Sequence, residues 1–284
     1  MTRSLKAIKN RIRSITNTKK VTSALEMISV SKLNRTDVIL YPLRAYGSRL
    51  ESCLDGLVHA ASGFSSPFFL KKEGDGTLAI CLITSDSGLC AGYNNNIIRA
   101  AEKFIRERGR EKIGLIAVGK KGLNHFKRQG VRVLEAFTDL HGRYSQATAE
   151  KLAFTLTDIF ITRKVSEVYV AFTKYQSAFT HTPMINKFLN LDTGTAEGIP
   201  YLLEPDKERI QEELLPKYIL TKVKLLLLEA FTSEHAARTL AMKAATENAS
   251  ELLDKLLLQR NKVRQANITQ DIMEVVSSSE ALRG

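Results

Sequence analysis

Apolar residues at Leu5, Ile8, Ile12, Ile15, Val21, Leu25, Ile28 and Leu33 recur mostly at steps of three and four. That spacing draws a narrow stripe along one long helix, not the broad face of a helix lying on a globular core. The stripe is interrupted near Thr18, where a small polar residue holds an expected apolar site. Pro42 either kinks the helix or passes through a turn of it. The pattern resumes through Leu50, Leu54, Leu57 and Val58, and Gly63, Ser65, Ser66 and Pro67 then mark a break.

The middle of the chain changes period. Thr77 to Thr84 reads as a buried strand, followed by a glycine-containing loop from Ser85 to Tyr93 and an amphipathic helix from Asn96 to Arg108. Strands follow at Lys112 to Val118, Val131 to Ala136 and Glu167 to Tyr175, with an edge strand at Met184 to Leu191. Helices at Gly119 to Gln129 and Ser145 to Arg163 alternate with them, which predicts a partly parallel sheet covered by helices. Gly194, Gly198 and Pro200 form the exit loop, and helix resumes after Pro205, with Pro216 bending or restarting it. From Lys217 to Leu282 there is no proline or glycine over 66 residues. As straight helix that run is about 100 Å long, too long for a domain of this size to cover.

The run is strongly apolar over Leu220 to Leu228 and alanine-rich from Ala236 to Ala249. It continues a stripe at Leu252, Leu253, Leu256, Leu257, Val263, Ile268, Ile272 and Val275. Alanine permits close helix approach, and two striped helices at opposite ends of a chain suggest an antiparallel two-helix coiled coil. The expected fold is therefore α/β with long terminal helices, a Rossmann-like α/β domain being inserted between them. The corresponding divisions are an N-terminal coiled-coil helix over 1–62, the α/β domain over 77–204 and a C-terminal coiled-coil helix over 206–284.

Charge adds a partner to this picture. The chain carries a formal net charge of +12, and the stretch Met1 to Arg35 holds nine basic residues against the single acid Glu26. Such a surface favours nucleic acid, anionic lipid or acidic protein. Nucleic-acid binding would want aromatic residues alongside, and Met1 to Leu40 contains none. No apolar run is long enough to span a membrane, and the N-terminus lacks the pattern of a secretory signal. Three scattered cysteines, Cys53, Cys81 and Cys90, make neither a disulfide framework nor a zinc site.

Candidate chemistry is sparse. The phosphate-loop pattern G-x-x-x-x-G-K-[ST] is absent, and Gly88 and Gly92 without G-x-G-x-x-G read as a tight strand-to-helix turn. Cys90 has no helper motif marking His125, His141 or His181 as its base, and Asp86 reads as a turn or cap residue. No catalytic, cofactor-binding or metal-binding residues are expected.

Three blocks carry a resemblance. Ile8 to Lys32 (IKNRIRSITNTKKVTSALEMISVSK), Ser85 to Asn94 (SDSGLCAGYN) and Ser233 to Thr269 (SEHAARTLAMKAATENASELLDKLLLQRNKVRQANIT) occur in this order. They resemble the signature segments of the γ subunits of F-type ATP synthases. Ser87 and Ala91 stand where the family's loop has arginine and glycine, Leu25 replaces a methionine, and Gln259 and Arg260 depart before Asn261. The cysteine-bearing insert of chloroplast relatives is missing, which argues against thiol regulation.

The resemblance implies a non-catalytic rotor shaft that couples ion flow through a membrane ring to conformational cycling of the catalytic β subunits. It implies α and β subunits, an ε subunit and the c-ring as partners. It implies β-subunit contacts at Arg264, Gln265 and Thr269, which act as a catch, and at Lys19, Lys20, Lys32 and Cys90, near the acidic lever of that subunit. Arg264, Gln265 and Thr269 also fall on neighbouring helical turns, so their polar groups share one side. Tyr46 is implied at the foot, on the ring and ε. The expected location is peripheral, on the cytoplasmic face of a bacterial inner membrane, with the mitochondrial matrix face as the lesser option. The competing readings are a basic coiled-coil scaffold or nucleic-acid-binding protein, and a nucleotide-dependent enzyme using the α/β domain.

Overall fold

A computed structural model describes residues 5–60, 68–69, 76–162, 165–191 and 207–281. The expected break at Gly63 to Pro67, the exit loop at Gly194 to Pro200, Pro205 and Arg163 lie outside them. Along the chain come α1 (Leu5–Ala60), β1 (Leu78–Ile83), α2 (Tyr93–Arg108), β2 (Ile113–Val118), α3 (Lys120–Arg128), β3 (Val133–Phe137), α4 (Gln146–Thr162), β4 (Glu167–Tyr175), β5 (His181–Leu189) and α5 (Lys207–Ala281). Two compact units are formed, residues 5–28 with 239–281, and residues 29–238. Both terminal helices contribute to each unit.

The larger unit is built on one sheet of order β3-β2-β1-β4-β5. β3, β2, β1 and β4 run parallel, and β5 closes the edge antiparallel to β4. β1 (LAICLI) is apolar at every position because both of its faces are covered. Ala79, Cys81 and Ile83 pack with α4, with Leu50 and Leu54 of α1, and with Tyr218, Val223, Leu227 and Phe231 of α5. Leu78, Ile80 and Leu82 face Ile97, Ala101 and Ile105 of α2 and Leu123 and Phe126 of α3. The domain's core is thus completed on one side by the terminal helices themselves.

Pro42 and Pro216 both lie inside continuous helices, so the two prolines pass through the helical turns without ending them. Around Pro216 the loss of one backbone bond is offset by burial of Leu215, Tyr218 and Ile219. α1 and α5 run antiparallel in this unit, for Glu51 accepts from Lys222 while Arg44, earlier in α1, pairs with Glu229, later in α5.

In the smaller unit the same helices are again antiparallel, with Thr22 Oγ1 bonded to Thr246 Oγ1 at 2.8 Å and Lys19 Nζ donating to Ser250 Oγ at 3.0 Å. Met242, Ala249 and Leu256 are buried at seven-residue spacing, the period of a left-handed coiled coil. The expected stripe needs correction here. Val21 and Ile28 are 59% and 53% exposed, while Thr22 beside Val21 is buried. A small side chain lets α1 approach the alanine-rich part of α5 closely, and its hydroxyl is satisfied across the seam. Ile268, Ile272 and Val275, also expected in the stripe, are at least half exposed.

Candidate functional site

β1 delivers the chain into the loop Ser85 to Gly92. Its interior is tied together by Asn94 at the start of α2. Ser85 N–H donates to Asn94 Oδ1 at 3.0 Å, and Asn94 Nδ2 donates to Ser85 Oγ at 2.7 Å and to Cys90 Sγ at 3.1 Å. Leu89 and Ala91 take left-handed backbone angles, φ 63° and 48°. That conformation costs a non-glycine residue about 1 kcal/mol. The result is that Cys90 turns inward against Tyr93 and Ala237, while Leu89 is 63% exposed. Burial raises the Cys90 thiol pKa, which keeps it protonated and unreactive.

Asp86 is a capping residue, as its position suggests. Its Oδ1 accepts from the backbone N–H groups of Lys120, at the start of α3, and of Asp139, both at 3.1 Å. Its Oδ2 accepts from His141 N–H at 2.7 Å. One carboxylate therefore fixes α3 and the turn at Asp139 to Gly142 to the same loop.

α5 supplies the other wall. Arg238 Nη1 donates to Glu234 Oε1 at 2.8 Å, both side chains being nearly inaccessible. Its remaining donors reach the loop: Nε to Gly88 O at 3.3 Å and Nη2 to Ser87 Oγ at 3.1 Å. His235 Nε2 lies 2.9 Å from Gly142 O. A carbonyl only accepts, so Nε2 carries the proton and Nδ1 is left as an acceptor beside Arg238. Burial lowers the His235 pKa to about 4, so the ring is neutral. Burial also raises the Glu234 pKa, against the opposing pull of Arg238, and Glu234 Oε2 has no hydrogen-bond partner among the described residues.

Of the residues singled out in the sequence, the structure brings Lys32 and Cys90 to this cluster. Lys32 Nζ donates to His141 O at 3.0 Å and is within electrostatic reach of Glu234 and Arg238. Cys90 feels the same pair from the loop. In the smaller unit Lys20, Arg264, Gln265 and Thr269 are exposed, while Lys19 is half-buried by its bond to Ser250. Tyr46, in the larger unit, is 52% exposed. Glu234, His235 and Arg238 were not anticipated as a site. Their signal was charge inside an otherwise apolar helical stretch, a placement rarely tolerated without partners.

This arrangement ties the loop after β1, α3 and α5 together. Among the described residues no group of His, Cys, Asp and Glu is placed to hold a metal ion. No described helix is long and apolar enough to cross a membrane. In the larger unit a Rossmann-like domain packs against antiparallel stretches of both terminal helices.

Residues 4–282 match the family described as ATP synthase. The chain is 37% identical over 287 residues to the ATP synthase gamma chain of Geobacter metallireducens, covering 99% of each. It is 36% identical to that of Moorella thermoacetica, covering 98% of this chain and 99% of the relative. The chain belongs to the ATP synthase gamma chain family. Its fold is shared with a chain of the Euglena gracilis mitochondrial ATP synthase OSCP/F1/c-ring structure, with TM-score 0.73, 17% identity, and 98% and 94% of the two chains covered. It is shared too with a chain of the Tetrahymena thermophila mitochondrial ATP synthase central stalk/c-ring structure, with TM-score 0.60, 21% identity, and 79% and 99% covered.

Proposed function

We propose that this chain is the central rotor shaft of an F-type ATP synthase, a subunit without catalytic residues of its own. The shaft couples ion flow through a membrane ring to the cycling of three catalytic sites among conformations of different nucleotide affinity. Its partners are the α and β subunits around the coiled coil, and the ε subunit and c-ring at the foot. It works as a peripheral component at the cytoplasmic face of a bacterial inner membrane.

The observation that carries this reading is the end of α5. From Arg264 to Ser279 every residue is exposed, and Ile268, Ile272, Met273, Val275 and Val276 are among them. A contiguous apolar helix surface of this kind marks a site of protein contact. Val21, Met27 and Ile28 of α1 are also more than half exposed in the same unit. Other subunits cover these positions in the working complex.

On the bare segment, Arg264, Gln265 and Thr269 form the polar catch on the β subunit, and Lys19, Lys20 and Lys32 face its acidic lever. Cys90 acts there through its loop, which presents Leu89 outward while the thiol stays inside. Exposed charge pairs contribute only about 0–1 kcal/mol each, so attraction of this kind guides assembly more than it fixes it. Tyr46 belongs to the foot.

The test is purification of the tagged chain from its own cell. The rotor reading expects α and β subunits in fixed ratio, and photocrosslinks from position 268 to β. A monomer that binds ATP saturably would support the enzyme reading, and salt-sensitive binding of DNA or RNA the nucleic-acid reading. Either result without α and β would refute the proposal.

A further inference from the structure

β4 is longer than the strand beside it. Pairing of β1 with β4 ends at Leu82 and Ala171, while β4 continues to Tyr175 against β5 on its other side. Beyond β1, the backbone groups of Thr173 and Tyr175 that point away from β5 have no strand to receive them. Successive residues of a strand aim alternately, so Thr173 and Tyr175 present these groups on the same open edge. Buried backbone groups of this kind must find partners elsewhere.

The terminal helices provide them. Ser233 Oγ of α5 donates to Thr173 O at 3.1 Å. Glu229 Oε2 of α5 accepts from Tyr175 N–H at 2.9 Å. Arg44 Nη2 of α1 donates to Tyr175 O. The two charged side chains then close on each other: Arg44 Nε donates to Glu229 Oε1 at 2.6 Å and Nη2 donates to Glu229 Oε2 at 2.7 Å. Glu229 is only 4% exposed. The fork geometry of a guanidinium on a carboxylate is directional as well as strong, and a lysine cannot reproduce it. Side chains of α1 and α5 thus occupy the place where β1 would continue.

We infer that the Arg44–Glu229–Ser233 junction is the joint through which torque passes between the sheet domain and both shaft helices. This rests on the rotor reading. Hydrophobic attraction is non-directional, so directed hydrogen bonds add a rotational register that burial by itself does not specify. Three hydrogen bonds to one strand edge, from two helices and closed by a bidentate ion pair, fix the rotational register of α1 and α5 against β4. Arg44, Glu229 and Ser233 are positioning residues in this scheme, acting on load and not on the chemistry of ATP.

The experiment uses the assembled ATP synthase with its catalytic subunits fixed to a surface. Cys53→Ser removes the exposed native thiol, and Phe179→Cys, at a position 80% exposed beyond the end of β4, carries a rod. Arg44→Lys and Ser233→Ala are compared with the parent. Both retain the helices, one keeping the charge and the other removing a single hydroxyl. We expect unloaded ATP hydrolysis to stay within about twofold, while the angular variance of the rod at its pauses rises about twofold in Arg44→Lys and by less in Ser233→Ala. Unchanged variance in both variants, with the rod still turning, overturns the joint and leaves the rotor reading intact. A rod on the parent complex that does not turn with ATP overturns the rotor reading and this inference with it.

Discussion

Gly142 and His235 are fitted to each other. Gly142 has φ +64°, and a Cβ there would stand 2.6 Å from His235 Cε1 and Nε2. Gly142→Ala must therefore push the buried ring and break its bond to the Gly142 carbonyl. A loss of about 2–4 kcal/mol is expected, because strain and an unpaired buried group combine. Gly130→Ala is the control, with similar backbone (φ +70°) and open space, and should cost only about 1 kcal/mol. Urea unfolding of both variants measures the difference.

His235 also predicts a pH dependence. Its folded pKa, about 4, lies below the ordinary 6.5. The unfolded chain therefore binds the proton more readily, so this contribution is complete above pH 6.5 and is lost as pH falls toward 4. Its full size is about 3 kcal/mol. Glu234 works in the other sense, since its raised pKa gives stability below the ordinary 4.5 that is lost as pH rises. Comparing unfolding midpoints of the parent and His235→Gln across this range isolates the histidine, and the variant should show the shallower acid loss. Arg238→Met, which strands the buried Glu234, should cost about 3–5 kcal/mol, and Glu234→Gln clearly less.

At the scale of elements, the end of α5 should be dispensable for folding of the larger unit. From Arg264 to Ser279 every residue is exposed, so removing 264–284 should leave the melting of the larger unit unchanged while ATP hydrolysis uncouples from ion transport. Calorimetry and an ion-pumping assay on the truncated complex check the two halves. Much of the element order was legible, because period changes cleanly between the stripes of α1 and α5 and the alternation of strands and helices. β5 was expected to begin at Met184 and begins at His181. Pro183 sits opposite Thr173, where its missing N–H faces away from β4 and costs no ladder bond. Val21 and Ile28 join the seam of α1 on hydrophobicity alone, which cannot show that close helix approach prefers Thr22. The Glu234–Arg238 cluster escaped for a related reason. Burial of a charge depends on partners contributed by a loop some 150 residues away in the chain, and no local pattern encodes that.

For the whole molecule, membership of the gamma chain family and the uncovered apolar end of α5 point to the same working arrangement, a shaft completed by its neighbours. Such a shaft must turn against its neighbours. The most direct test fixes the catalytic subunits of the purified complex, attaches a bead to this chain and supplies ATP. Full turns in one direction are expected, with pauses at three angles set by the three catalytic sites. A bead that stays fixed while the same complex hydrolyses ATP would contradict the rotor reading.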